Sequence, residues 1–235
     1  IGPALALAFI LVTAAILILD LERPERFFYI LTRPNWRSWM VWGTCFLIAH
    51  GGLASLWLIF GVTGFNTLIS WLAVPAILVA VLATSYTGFL FAQGLARDLW
   101  QGPHSAADLL AQASVEGAST LLILGMLTGS AEIIRALVWI LGVSVAVHLM
   151  LLAFENLLSP SATRHHELAT QAICRGAYAR LFWGGAMGFG GLLPLLILGT
   201  GSATLLTAIA GALALAGAFA WEYVWVEAGQ SVPLS

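Results

Sequence analysis

Six ionisable side chains fall within or at the ends of stretches otherwise built from apolar residues: Asp20, His50, Glu116, His148, Glu155 and Glu222. Charge at membrane depth is expensive, so each is a candidate for function. The plainest reading is that they hydrogen-bond one another or Ser114, Ser119 and Ser144, and so fix helix packing. A second reading is a proton path through His50, Glu116, His148, Glu155 and Glu222, because Asp, Glu and His in series can pass protons. A third is haem ligation. His50 and His148 lie at comparable depth on different stretches, the minimum for a b-type haem with two histidine ligands. One histidine per stretch provides one such pair, whereas two stacked haems are needed to carry electrons across a membrane. Tyr86, in the run Ala83–Gly88, is a further polar group. Its hydroxyl could bond a backbone carbonyl, or a carbonyl of a lipid-soluble ligand arriving from the bilayer.

The elements that must position these groups are membrane helices. Crossing a hydrocarbon core takes about 20 mostly apolar residues. Seven stretches qualify: Gly2–Leu19, Ser38–Gly61, Ile69–Leu95, Ala107–Thr128, Ile134–Leu158, Tyr178–Gly199 and Ala203–Val226. They are continuously apolar rather than alternating, so they predict helices and not a barrel. Residues 1–235 are accordingly expected to form one all-α transmembrane bundle. The composition agrees, with 60% hydrophobic and 9% charged residues, where soluble domains carry about 25% charged. A net charge of −2 gives no sign of a nucleic-acid partner. There is no lysine, which excludes a Schiff base to retinal. The two cysteines, Cys45 and Cys174, are too few for an iron–sulfur cluster and read as packing thiols. No internal repeat is evident, which weakens an inverted-repeat transporter reading.

The connections are unequal. If the first stretch ends on side A, that side receives segments 21–37, 97–106, 159–177 and the tail 227–235. Side B receives only three short links. Eight of the nine arginines lie on or beside side A, and only Arg135 on side B, so the positive-inside rule makes side A cytoplasmic. Trp36, Trp39, Trp42 and Trp100 gather on side A, as do Trp221 and Trp225, in the manner of an interfacial aromatic belt. The connections are too short for a catalytic domain. Chemistry is therefore expected inside the bundle or on a partner resting on side A.

The side-A residues also carry a resemblance. Asp20-Leu21-Glu22-Arg23-Pro24-Glu25-Arg26-Phe27, then Arg33-Pro34-Asn35-Trp36-Arg37-Ser38-Trp39-Met40-Val41-Trp42-Gly43, resemble the NrfD family of membrane subunits of polysulfide-reductase-type respiratory complexes. Ser85-Tyr86-Thr87-Gly88 with Leu95-Ala96-Arg97-Asp98-Leu99-Trp100 resembles a second block of that family, and the run Glu222–Ser231 its C-terminal signature. The family pattern sets one more helix before the one ending at Asp20. With the start at Ile1 rather than Met, an eighth helix is expected.

The resemblance implies a subunit that holds no redox cofactor and binds a quinone, menaquinone or ubiquinone, as its substrate. Tyr86 would be a hydrogen-bond partner for the quinone, with Asp20, Arg23 and Arg26 beside it. Arg33, Pro34, Asn35, Trp36, Arg37, Arg97 and Trp100 would form a docking surface for an iron–sulfur subunit, with a molybdopterin subunit beyond. The expected setting is the cytoplasmic membrane of a bacterium or archaeon. A proton or solute transporter, or a haem subunit using His50 and His148, remains the alternative at this level.

Overall fold

The computed structural model describes residues 1–94, 97–201 and 204–233. Leu95 and Ala96 of the second family block, Ser202 and Ala203 of the last link, and the final two tail residues lie outside the described residues. All regular structure among the described residues is helical, and seven spans are long and apolar enough to cross a membrane. The chain packs as two compact units, Ile1–Leu90 and Phe91–Ser235.

The first unit begins with α1 (Gly2–Leu19), which carries Pro3 in its first turn, where a missing N–H costs nothing. A 3₁₀ turn, Pro24–Arg26, and the short helix α2 (Phe27–Thr32) follow. Next come α3 (Trp39–Thr63) and α4 (Asn66–Ala92). The link between α3 and α4 is tighter than expected because Gly64 adopts φ +81°, the left-handed cap that only glycine takes at no steric cost. Helix α4 thus starts three residues before the predicted Ile69. It also accommodates Pro75, a break that membrane helices tolerate. Few side chains in this unit are buried, as suits helices whose solvent is lipid. No residue of α1 is buried, and in α3 and α4 only Val41, Gly43, Ala54, Tyr86 and Gly88 are.

The second unit contains a 3₁₀ turn, Asp98–Gln101, then α5 (Ser105–Thr128), α6 (Ala131–Ala153), α7 (Arg164–Cys174), α8 (Leu193–Gly199) and α9 (Thr204–Ser231). Two stretches are wound more widely, with π-type hydrogen bonding: Phe154–Leu158 after α6 and Leu181–Leu192 before α8. The second is rich in glycine, and a Cβ on either Gly190 or Gly217 of α9 would overlap the other's backbone. These backbones are in direct contact, the close approach that small residues give membrane helices.

Two apolar clusters hold the unit. One joins Leu152, Ala169, Ile173, Phe182, Trp221 and Val224, and the other Val115, Leu122, Leu141, Val145 and Ala214. The amphipathic helix α7 lies within the segment 159–177, which has no element in the sequence reading. Its start is capped by Thr163, whose hydroxyl accepts the His166 backbone N–H, and it seals the first cluster with Ala169 and Ile173.

Candidate functional site

The best-organised polar constellation lies in the second unit and centres on Asp108. This residue sits in the first turn of α5, where the helix dipole favours a carboxylate. Its Oδ2 accepts hydrogen bonds from the Trp221 indole Nε1 of α9 at 2.8 Å and from Gln112 Nε2 at 3.0 Å. Its Oδ1 lies 2.7 Å from His148 Nδ1 of α6. An ionised carboxylate only accepts, so this contact puts a ring proton on Nδ1. All four side chains are buried. A buried carboxylate without donors would be very costly; here three helices supply three donors, and the shared acceptor becomes a fastener.

The sequence reading missed Asp108, Gln112 and Trp221. A signal was present: Asp108, Gln112 and Glu116 recur every fourth residue, which puts a polar stripe on one face of α5. Around this centre the structure gathers four of the five candidate proton-path residues. His148 belongs to it directly. Glu155 and Glu222 lie within electrostatic range of Asp108, and Glu116 within range of His148 and Glu222. Glu155 is buried in the wide turn that follows α6, whereas Glu222 is exposed on α9.

His50 belongs to the first unit. It lines a groove of about 340 Å³ with Pro3 and Ala6 of α1, Leu53 and Trp57 of α3, and Ala76 and Ala80 of α4. Its Nδ1 is buried with no hydrogen-bond partner.

Tyr86 is buried in α4 and lines a smaller cavity of about 60 Å³. The walls are Leu17, Leu21, Phe27 and Ile30 from α1 and the segment after it, Met40, Thr44 and Leu47 from α3, and Leu90 from α4. This lining is apolar apart from the Tyr86 phenol and the Thr44 hydroxyl, which donates to the Met40 carbonyl. The volume admits the edge of a ring, since whole small-molecule pockets run to about 300 Å³ and more. Gly43 explains how the phenol fits, because any Cβ there would overlap the Tyr86 ring. Asp20, Arg23 and Arg26 are exposed in the segment above and do not line this cavity.

The candidate docking residues divide. Arg33, Asn35, Trp36 and Arg37 are exposed, on a turn ordered by the Arg37 backbone N–H donating to Asn35 Oδ1 and by the Trp42 indole donating to the Trp36 carbonyl. Pro34 in the same turn is half-buried, and the Arg33 guanidinium lies over the Tyr29 ring.

Arg97 and Trp100 instead engage their own chain. Arg97 Nη1 donates to the carbonyls of Gly229, Gln230 and Val232 at 3.1, 3.1 and 2.9 Å, which places a cation on the negative end of α9. Trp100 packs on Phe91 and Trp225. Next in sequence, Asp98 accepts the Thr163 hydroxyl at the start of α7. On α7, burial pushes the His166 imidazole below its usual pKa while Asp98 opposes the shift, and burial raises the Cys174 thiol against the pull of Arg175.

The Polysulphide reductase, NrfD family matches this chain over residues 1–233. A relative from Halobacterium salinarum, provisionally named as a membrane subunit of dimethyl sulfoxide reductase, is 30% identical over 242 residues, covering 88% of this chain and 54% of the relative. The chain thus spans about half the length of that relative. No solved structure matches it.

Proposed function

From the premise that this chain belongs to the NrfD polysulphide reductase family, we propose that it is the membrane anchor and quinone-binding subunit of a respiratory oxidoreductase. It exchanges electrons between the quinone pool and an iron–sulfur subunit docked on side A, and that subunit serves a catalytic, molybdopterin-bearing subunit. The chain itself does no chemistry on the terminal substrate. The observation that carries the reading is the position of Tyr86: a buried phenol in a largely apolar cavity whose walls include Leu21 and Phe27 of the family's first motif.

In the oxidative direction a quinol gives up two electrons and two protons. The electrons pass to the docked subunit. The protons need bases, and the Asp108–His148 pair with Glu155, Glu116 and Glu222 is a set that can take them. Tyr86 positions a quinone carbonyl by one hydrogen bond, and the exposed turn at Arg33–Arg37 presents cations and aromatic surface to the partner.

The test is Tyr86→Phe assayed in membranes. One neutral hydrogen bond contributes about 0.5–1.5 kcal/mol, so quinone-linked turnover should fall by up to about tenfold. Reduction of the terminal substrate by a soluble dye should persist. Unchanged quinone turnover removes Tyr86 from the site. The arginine distribution supports a cytoplasmic side A, which accessibility of segment 159–177 to a membrane-impermeant label would check.

A further inference from the structure

Beneath the side-A segments of the second unit lies a cavity of about 340 Å³. Its walls include Asp98 and Gly102 of the link before α5, His104, Ala162 and His166. Glu155 lines the same space. Two buried polar atoms on this lining have no hydrogen-bond partner: Glu155 Oε1 and His166 Nδ1. Glu155 is only 6% exposed, and an unsatisfied carboxyl oxygen at that depth is costly unless something occupies the space it faces.

The shape of the wall points the same way. A Cβ added at Gly102 would stand 3.1 Å from Glu155 Oε1, so glycine is the residue that leaves this oxygen uncovered. The wide turn Phe154–Leu158 also departs from α-helical winding where Glu155 sits, as helices often do at working positions. Water is the natural occupant. The cavity is polar and has room for several molecules, at roughly 10–15 Å³ of such volume for each.

We propose that this cavity is a water-filled vestibule through which Glu155 exchanges protons with side A. The Glu155 carboxyl gives its proton to a cavity water, leaving a carboxylate and a hydronium ion, and the return step restores both. Asp98, His104 and His166 line the passage to the surface. Glu155 also lies within electrostatic range of Asp108, so the vestibule is the outward end of the buried constellation. Its use during turnover rests on the quinone reading, whereas its hydration does not.

The experiment treats the whole protein in lipid nanodiscs with a water-soluble carbodiimide and taurine, and reads each carboxyl by peptide mass spectrometry. Glu155 should form the taurine amide at no less than about a tenth of the rate of the exposed Glu25. Gly102→Val should slow Glu155 at least tenfold and leave Glu25 unchanged, and Ala162→Trp at the mouth should do the same if Gly102→Val fails to fold. An unmodified Glu155 beside a modified Glu25 overturns the proposal, as does equal Glu155 labelling with the cavity plugged. Labelling needs neither quinone nor partner, so its failure sinks the vestibule alone, while unchanged turnover in Tyr86→Phe sinks the quinone site alone.

Discussion

Replacing Asp108 separates what its shape does from what its charge does. In Asp108→Ala the Trp221 indole N–H, the Gln112 amide and the His148 ring N–H, all buried, lose their acceptor together. Each stranded donor costs about 1–3 kcal/mol, and Gln112 can turn aside, so the loss should reach about 3–5 kcal/mol, the range for breaking a buried pair. Against a total stability of about 5–15 kcal/mol this is severe. In Asp108→Asn the side-chain carbonyl can stay where Oδ2 is and keep both Trp221 and Gln112. The amide then faces His148 Nδ1, which accepts if the ring proton moves to Nε2. All three contacts survive, and the cost should be about 1 kcal/mol, that of an ordinary hydrogen bond weakened rather than lost. Unfolding of the purified proteins in one detergent, followed by tryptophan fluorescence with denaturant, measures both. Vesicles carrying the complex should show that Asp108→Asn, though folded, loses any proton movement linked to quinone turnover. If Asn destabilises as much as Ala, the charge and not the geometry holds the three helices, and the reasoning fails. If Ala is harmless, the network is not a fastener.

Other substitutions follow from the same structure. Gly43→Ala should displace the Tyr86 ring and lower quinone-linked turnover at least as far as Tyr86→Phe does, with dye-linked activity intact; normal quinone turnover would show that the ring position does not matter. Arg97→Ala should release the end of α9 and expose residues 229–232 to limited proteolysis, with Arg97→Lys restoring part of the protection; equal cleavage in all three forms would refute the clamp. Gly217→Val should force α9 off the wide helix at Gly190 and lower stability by about 1–3 kcal/mol or more, read as a lower unfolding midpoint. Because burial lowers the His166 pKa, the unfolded chain binds this proton more readily than the folded one. Stability from His166 is therefore complete above the ordinary value of 6.5 and falls as pH drops from there through the folded value. Melting at about pH 7.5 and about pH 5, on either side of that ordinary value, should show a smaller difference in His166→Gln than in the parent; an equal difference would remove His166 from that account.

Much of the architecture is legible in the sequence because lipid imposes it. Each span must be long and apolar, so the seven stretches appear as expected, with ends moved by a few residues where a cap decides. Gly64 shortens one link, and the wide turn Phe154–Leu158 completes the fifth span beyond the end of α6. Less legible is anything set by how helices meet. The pairing of Asp108 with His148 depends on the register of α5 against α6, which no single-helix pattern encodes. Asp108 itself reads as an ordinary first-turn acid until the stripe with Gln112 and Glu116 is noticed. Helix α7 carries its own signal in Thr163 followed by Leu168, Ala169, Ala172 and Ile173, but its short length and many charges give it the look of a connection. Tyr86 is visible as a polar group at depth, whereas Gly43, which makes room for it, is one glycine among many until the helices are in place. Arg97 and Trp100 show the reverse case: residues whose type suggests the surface, which the fold engages with its own last helix.

The grip of Arg97 on α9 also has a consequence for how the protein is made. Its three acceptors lie 132, 133 and 135 residues further along the chain. At about 5–20 residues per second, a ribosome needs roughly ten seconds to deliver them. Throughout that interval the guanidinium waits at the membrane surface without these ligands, while four more spans are threaded into the bilayer. The clamp therefore closes only after the four spans that follow Arg97 have emerged, and a chain halted before α9 would hold this arginine without its three acceptors.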